Sequence, residues 1–265
     1  MPQAPALRSG RLKVPSMATR FSAPTVALAD LDAALASTGY AILRADAVAK
    51  LAGVAPGAFD AWRPGWEDLA RDDYLKDGGR YRRRRHSCFV AEAGALRQVP
   101  HRRHWQPVDY NALHGGMDRW FEPIAPWTIA DPAWAPLLLG IAAACSRRMP
   151  SPRWHIEAHQ FRIDTSDGVG RPTPEGAHRD GVDFVAVLLV GRHAIKGGET
   201  RIFEIDGPHG LRFTLDEPWS MMLLEDARII HESTPLQPLD EAGGHRDTLV
   251  LTYRAQAFLG DDAGD

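Results

Sequence analysis

HRDGVDFVAVLLV, residues 178–190, sets a histidine and an aspartate two positions apart and then runs into the apolar stretch 184–190. A run this short and this apolar reads as a buried strand rather than a helix. Similar runs surround it after Pro152: WHIEAHQFRI, TRIFEI, LRFTL, SMMLLE, ARIIHES and TLVLTYRA. Between them stand PTPEG, KGG, DGPHG, DEPW and EAGG, whose glycines and prolines mark turns. Strands joined by turns, with no helical pattern between them, predict an antiparallel double sheet or jelly roll.

The first half has a different texture. VALADLDAALAS, from Val26 to Ser37, predicts a helix feeding a strand at GYAILRA. Further helices are expected over Ala49–Ala61, Asn111–Phe121 and Pro132–Arg148, the last opened by a proline at a helix start. The expected fold is therefore mainly β with flanking helices. Residues 1–25 are proline-rich with four basic and no acidic side chains, and are expected to form a loosely ordered leader. One domain, 26–265, is expected to follow, its jelly-roll core lying mainly within 150–258.

The 265 residues are 44% hydrophobic and 25% charged, near the average of globular proteins. A net charge of -3 supplies no field to attract nucleic acid or an anionic membrane, so a small-molecule substrate is expected. No run is long enough to span a bilayer. Cys88 and Cys145 stand far apart in no ligand spacing, which disfavours a disulfide scaffold or a cysteine zinc site and makes a reducing cytoplasm the default. Oligomeric state, a homodimer included, is left open.

Side chains alternate along extended chain, so His178 and Asp180 point the same way and can converge on one ion. A third ligand is offered by His231 in ARIIHESTPL, 53 positions on, if its strand returns from the opposite sheet across the barrel. Two histidines and one carboxylate with open positions suit non-haem Fe(II) and O2. Each part has an ordinary reading: a His-x-Asp turn is common, and a histidine in an apolar strand is often a hydrogen-bonded core residue. Past His231, GGHRDTLVLTYR puts Arg246 and Thr248 on one strand face, where a guanidinium fork and a hydroxyl suit the distal carboxylate of 2-oxoglutarate. Arg254, of the same parity, competes for that role. A zinc hydrolase with the same triad leaves Arg246 unexplained, and a non-catalytic jelly roll leaves the whole constellation to coincidence.

The stretch PTPEGAHRDGVDFVAVLLVGRHAIKGGETRIFEIDG, with RIIHESTPLQP and GGHRDTLVLTYR, resembles the bacterial 2-oxoglutarate and iron dependent dioxygenases that include L-isoleucine 4-hydroxylase and other free amino-acid hydroxylases. Fainter likeness extends the resemblance to roughly Gly39–Tyr253. It implies a double-stranded β-helix, the cupin-like jelly roll, with Fe(II) on His178, Asp180 and His231 and 2-oxoglutarate on Arg246. It also implies hydroxylation of an unactivated C–H bond with O2, releasing succinate and CO2. Related halogenases replace the carboxylate ligand by a small residue, so Asp180 favours hydroxylation over halogenation, with desaturation still open. The substrate does not carry over; a carrier-bound or peptide residue is the alternative to a free L-amino acid.

Two other stretches bear on the substrate. In GGRYRRRRHSCF, read as a strand, Arg82 and Arg84 face one way and Arg83 and Arg85 the other, so one pair can clamp a substrate carboxylate or belong to a solvated edge. In WHIEAHQFRI, His155, Glu157, His159 and Phe161 share one side, and Trp154, Ile156, Gln160 and Arg162 the other. Gln160 and Arg162 match the family's HQFRI stretch and are taken as pocket residues, with His155 and His159 as polar lining or satisfied core groups.

Overall fold

The apolar runs of the second half become strands in the computed structural model, which describes residues 21–111 and 113–261. The leader proposed for 1–25 lies outside the described residues except for 21–25, where the Phe21 carbonyl accepts from Thr214 N–H at 2.8 Å. The first elements are α1 (Leu31–Thr38), β1 (Tyr40–Leu43) and α2 (Ala45–Ala52), followed by β2 (Arg82–Glu92) and β3 (Ala95–Gln98). Next come α3 (Pro126–Ile129), α4 (Trp134–Arg148), β4 (Arg153–Asp164) and β5 (Phe184–His193). The chain then continues through β6 (Ile195–Gly197), β7 (Thr200–Glu204), β8 (Gly210–Phe213) and β9 (Met221–Glu225). It closes with β10 (Ile229–Ser233), β11 (Leu236–Pro238) and β12 (His245–Arg254).

A seven-stranded sheet in the order β1-β9-β5-β12-β4-β2-β3 faces a smaller sheet β10-β7-β8, with β11 and β6 forming a separate pair. The strand pairs are antiparallel, and the architecture is the jelly roll of the 2-oxoglutarate oxygenases.

Alternation explains which face does what. On β12, Leu249, Leu251 and Tyr253 join the core beneath the helices, while Arg246, Thr248, Val250 and Thr252 line the cavity between the sheets. On β5, Phe184, Ala186, Leu188 and Val190 meet that same core, and Val185 and Leu189 pack into a second apolar cluster within the barrel. Both faces of β5 are thus buried, which is why its sequence is apolar throughout. Leu31 and Leu35 of α1, Val48 of α2 and Trp134, Leu137 and Ile141 of α4 cover the outside of the large sheet. Each fully buried side chain of this size contributes about 1.5–3 kcal/mol. No helix among the described residues is long and apolar enough to cross a membrane.

Three helical expectations change. The helix expected over Val26–Ser37 begins only at Leu31, after a 3-10 turn at Leu28–Asp30. The one expected over Ala49–Ala61 is cut at Gly53, whose φ of +67° closes α2, and a 3-10 stretch Ala58–Trp66 follows. No helix forms over the described part of Asn111–Phe121. There the Asn111 side chain accepts from His114 N–H at 2.8 Å, a local bond that competes with helix formation, and Gly115 and Gly116 follow at once. The short strands β3, β6 and β11 carry too little pattern to be read from sequence.

Candidate active site

His178 and His231 are immediate neighbours. They form an antiparallel bridge in which each backbone N–H donates to the other's carbonyl at 3.0 Å, with ring centroids 4.6 Å apart. The expected reach across the barrel is therefore replaced by direct pairing between β10 and the segment before β5. The Gly176 carbonyl accepts from His178 Nδ1 at 2.9 Å, which fixes the tautomer and leaves the Nε2 lone pair free.

Asp180 completes the group from a turn rather than a strand. Its Oδ2 lies 3.6 Å from His231 Nε2 and its Oδ1 4.0 Å from His178 Nε2. Fully buried Asp226, between β9 and β10, holds this turn: its carboxylate accepts the backbone N–H of Asp180 (2.8 Å), Gly181 (2.8 Å) and Val182 (3.2 Å). Gly181 has φ +79°, and a Cβ there would sit 2.6 Å from the Tyr110 ring, so only glycine suits the position. Burial, and then the Asp180 charge, push the Asp226 carboxyl up to about 6. Burial raises Asp180 and lowers His231, while His178 is raised by Asp180 and Glu175 against its own desolvation.

The donor atoms of His178, Asp180 and His231 all lie within 4.8 Å of one another. Their separations are too long for hydrogen bonds and close to those of atoms sharing one ion at about 2.0–2.2 Å. No hydrogen bond among the three explains the convergence, and His231 Nδ1 has no partner among the described residues. Two imidazoles and one carboxylate fit Fe(II).

A second group, His86, His104, Glu157 and His159, has comparable spacing but a different internal chemistry. Glu157 Oε2 accepts from His104 Nδ1 at 2.6 Å and His86 Nε2 at 3.0 Å, and His159 Nε2 lies 3.6 Å away. Arg84 donates to His159 Nδ1 at 2.8 Å, so that nitrogen is the acceptor and Nε2 carries the proton. Burial pushes His104 down to about 3 and lowers His86 and His159, so all three are neutral donors. Desolvation acts to raise Glu157, but His104 and His86 together hold it below the usual carboxylate range.

Arg246 and Thr248 both line the cavity from β12. Arg246 is buried; its Nη1 donates to Ser233 Oγ at 3.0 Å and its Nε has no partner among the described residues. Burial, then the charge of Arg192, pushes it down to about 9, so it remains a cation at neutral pH. Arg254 sits at the far end of the strand and donates to the Ala257 carbonyl at 3.0 Å, away from the cavity lining. Parity was right for Arg254; its position along the strand removes it.

Arg82 and Arg84 line the cavity from β2, with Arg82 Nε 2.7 Å from Asp72 Oδ2 and Arg84 Nη1 3.7 Å from the same oxygen. The Arg84 guanidinium also stacks on Phe121 at 3.8 Å and Phe161 at 4.4 Å. Gln160 and Arg162 do not reach the cavity. Glu157, His159 and Phe161 take that face of β4, which sends Gln160 towards Gly65 and Arg162 into ion pairs with Asp247 (2.8 Å) and Glu67 (3.0 Å). Their assignment as pocket residues followed motif likeness and is corrected by strand parity.

Sequence reasoning missed several lining residues. Gln106 donates to Asp180 Oδ1 at 3.4 Å, while its own Oε1 accepts from Arg119 (2.9 Å) and Asn111 (3.1 Å). All three come from the turn-rich segment 101–121, which has no periodicity to read. Glu175, in the quoted PTPEG, also lines the cavity. Its three-residue distance from His178 was the available signal.

A model of the 2OG-Fe dioxygenase family matches residues 63–252. A crystal structure of a bsmA homologue from Methylobium petroleophilum PM1 is 52% identical, with 90% of this chain and 97% of that one covered and a TM-score of 0.85. IDO from Bacillus thuringiensis shares the fold at 15% identity, covering 89% of this chain and 99% of that one, with a TM-score of 0.70. The Fe(II)/α-ketoglutarate-dependent dioxygenase TqaL does so at 20% identity, covering 88% and 89%, with a TM-score of 0.67. No curated protein matches. Fold and site together define a non-haem iron oxygenase, and the chain belongs to the 2OG-Fe dioxygenase family. It is a 2-oxoglutarate-dependent dioxygenase, and its cofactors are Fe(II), 2-oxoglutarate and O2.

Proposed function

We propose that the enzyme hydroxylates an unactivated C–H bond of a free L-amino acid or a close derivative, with Fe(II) held by His178, Asp180 and His231. The observation that carries this reading is the meeting of that triad with a buried, charged and incompletely satisfied Arg246 in one cavity. Fe(II), with O2 and 2-oxoglutarate, supplies the oxidising power for C–H cleavage, and the cosubstrate leaves as succinate and CO2.

The protein's own part is positioning. Arg246, with Thr248 beside it, receives the distal carboxylate of 2-oxoglutarate, an ion pair strengthened by burial. Arg82 and Arg84, stiffened by Asp72 and by stacking, offer guanidinium donors to a substrate carboxylate. Asp226 and Gln106 hold Asp180 in place from two sides. Val182, Val187, Met222 and Val250 give the cavity an apolar wall that excludes water and receives an aliphatic side chain.

Incubation with the twenty standard amino acids, Fe(II) and 2-oxoglutarate, with succinate release as readout, tests this function. Turnover of at least one is expected, and none would overturn the free-substrate reading. Exposed Val108, Leu113 and Trp120, on the segment that supplies Gln106, Asn111 and Arg119, favour a second reading: the same chemistry on a carrier-bound or peptide residue. Cys88 and Cys145, buried and not in a disulfide, support a reducing, cytoplasmic setting, and helices of the first half covering the large sheet support a single domain over 26–265.

A further inference from the structure

We propose that Glu175 reads the α-ammonium group of the substrate and so makes the site select free amino acids over N-acylated or deaminated analogues. This rests on the amino-acid reading above and adds a residue and a selectivity to it.

Glu175 lines the cavity beside the triad, its side chain only 12% exposed, with Oε1 3.6 Å from His178 Nε2. Its Oε2 is buried and accepts no hydrogen bond from the described residues. The other buried carboxylates around this end are occupied: Glu157 by His86 and His104, Asp72 by Arg82 and the Tyr74 N–H, and Asp226 by three backbone N–H groups. An acceptor left unmade in a buried site costs stability, and it is tolerated where a ligand supplies the donor. Glu175 is not a fourth member of this metal group: among the described residues, the group whose donors all fall within 4.8 Å of one another here is His178, Asp180 and His231.

Charge points the same way. The cavity lining carries the guanidinium groups of Arg82, Arg84, Arg119 and Arg246 and the carboxylates of Glu157, Glu175, Asp180 and Glu232. These cancel, which suits a zwitterion with its carboxylate on the arginines and its ammonium on Glu175. Without the Glu175 charge the same surface has one cation in excess and suits a net anion, such as an N-acyl amino acid.

The test uses the best substrate among the twenty amino acids, its N-acetyl derivative and its deaminated carboxylic acid, with succinate release followed for wild type, Glu175→Gln and Glu175→Asp. Wild type is expected to prefer the free amino acid over both analogues. Glu175→Gln is expected to raise KM for the free amino acid by about 10- to 100-fold, the loss of one charge-assisted hydrogen bond. It should narrow or invert the preference over the N-acetyl compound, and Glu175→Asp should retain part of it. Mn(II) affinity, measured by calorimetry, and KM for 2-oxoglutarate should not change.

A wild type that accepts the N-acetyl compound as readily overturns the inference without any variant. So does a Glu175→Gln enzyme with unchanged preference, or one whose Mn(II) affinity falls, which would make Glu175 part of the metal site. No wild-type turnover of any free amino acid overturns the underlying reading and this inference with it.

Discussion

Two buried groups of imidazoles and carboxylates stand near each other, and their compositions are nearly alike. In His86, His104, Glu157 and His159, every donor is directed at the Glu157 carboxylate or fixed by Arg84. In His178, Asp180 and His231, donor atoms converge at 3.6–4.0 Å without hydrogen-bonding one another, while the far sides are held by Gly176 and Asp226. The one carboxylate of the first group, Glu157, is committed to its own histidines, whereas the three facing donor atoms of the second make no hydrogen bond to one another and stand open to a shared ligand. Residue type and spacing therefore do not identify a metal centre; the direction of its hydrogen bonds does.

The most severe way to break this contrast is to remove one carboxylate from each group. Asp180→Ala is expected to reduce 2-oxoglutarate-dependent turnover to background and to abolish stoichiometric Fe(II) or Mn(II) binding. Glu157→Gln should keep one metal per chain but cost about 1–3 kcal/mol for each imidazole donor left unpaired. Calorimetric titration with Mn(II) on both variants checks this, and metal loss in Glu157→Gln with retention in Asp180→Ala would exchange the roles of the two groups.

The second largest effect concerns Arg246 and Arg254. Arg246→Ala should weaken 2-oxoglutarate by about 2–5 kcal/mol, because a desolvated carboxylate loses its charged partner. Arg254→Ala should leave KM for 2-oxoglutarate unchanged, since Arg254 is tied to the Ala257 carbonyl outside the cavity. The reverse pattern would move the cosubstrate to the other end of β12.

Much of this was legible in residues alone. Seven runs after Pro152 became strands, and period-two alternation correctly sent Arg82, Arg84, Arg246 and Thr248 into the cavity. The triad members could be named because a strand end and a following apolar run leave a strong local pattern. What stayed hidden has physical reasons. Gln106, Asn111 and Arg119 lie in a segment built from side-chain-capped turns, where the composition of 111–121 suggests a helix and no period points to the cavity. Likeness to the HQFRI motif points to Gln160 and Arg162, but a motif does not say which face of a strand looks inward, and the face that does is that of Glu157, His159 and Phe161. Asp226 is separated from Asp180 by 46 positions, and a carboxylate that binds backbone N–H groups leaves no trace at the other end.

That hidden clamp provides a smaller, sharper test. In Asp226→Asn one of the two carboxylate oxygens that accept from Asp180, Gly181 and Val182 becomes an NH2 facing a donor. The Asp180 turn should loosen, and metal affinity should fall by about 10- to 100-fold, the usual effect of losing an outer hydrogen-bond partner. Unchanged Mn(II) affinity in a folded Asp226→Asn protein would show that Gly181 and strand pairing alone fix the turn.

The finest distinction is whether Glu157 is surrounded by neutral imidazoles or by imidazolium ions, and pH decides it with opposite signs. His104 titrates at about 3 in the folded protein against 6.5 ordinarily, because burial disfavours its charged form. As pH falls below 6.5 the unfolded chain takes up this proton and the folded one does not, so stability is lost progressively through the window from 6.5 towards 3 and is fully present above it. An imidazolium held by Glu157 would instead have a raised value and add stability on acidification. Comparing wild type with His104→Gln isolates the group from the other titrating residues. The wild-type advantage in unfolding free energy should shrink by up to about 1.4 kcal/mol per pH unit below the ordinary histidine value. An advantage that grows on acidification between pH about 7 and 5 would mean that the carboxylate holds a charged ring, and the two groups would then differ in protonation as well as in the direction of their bonds.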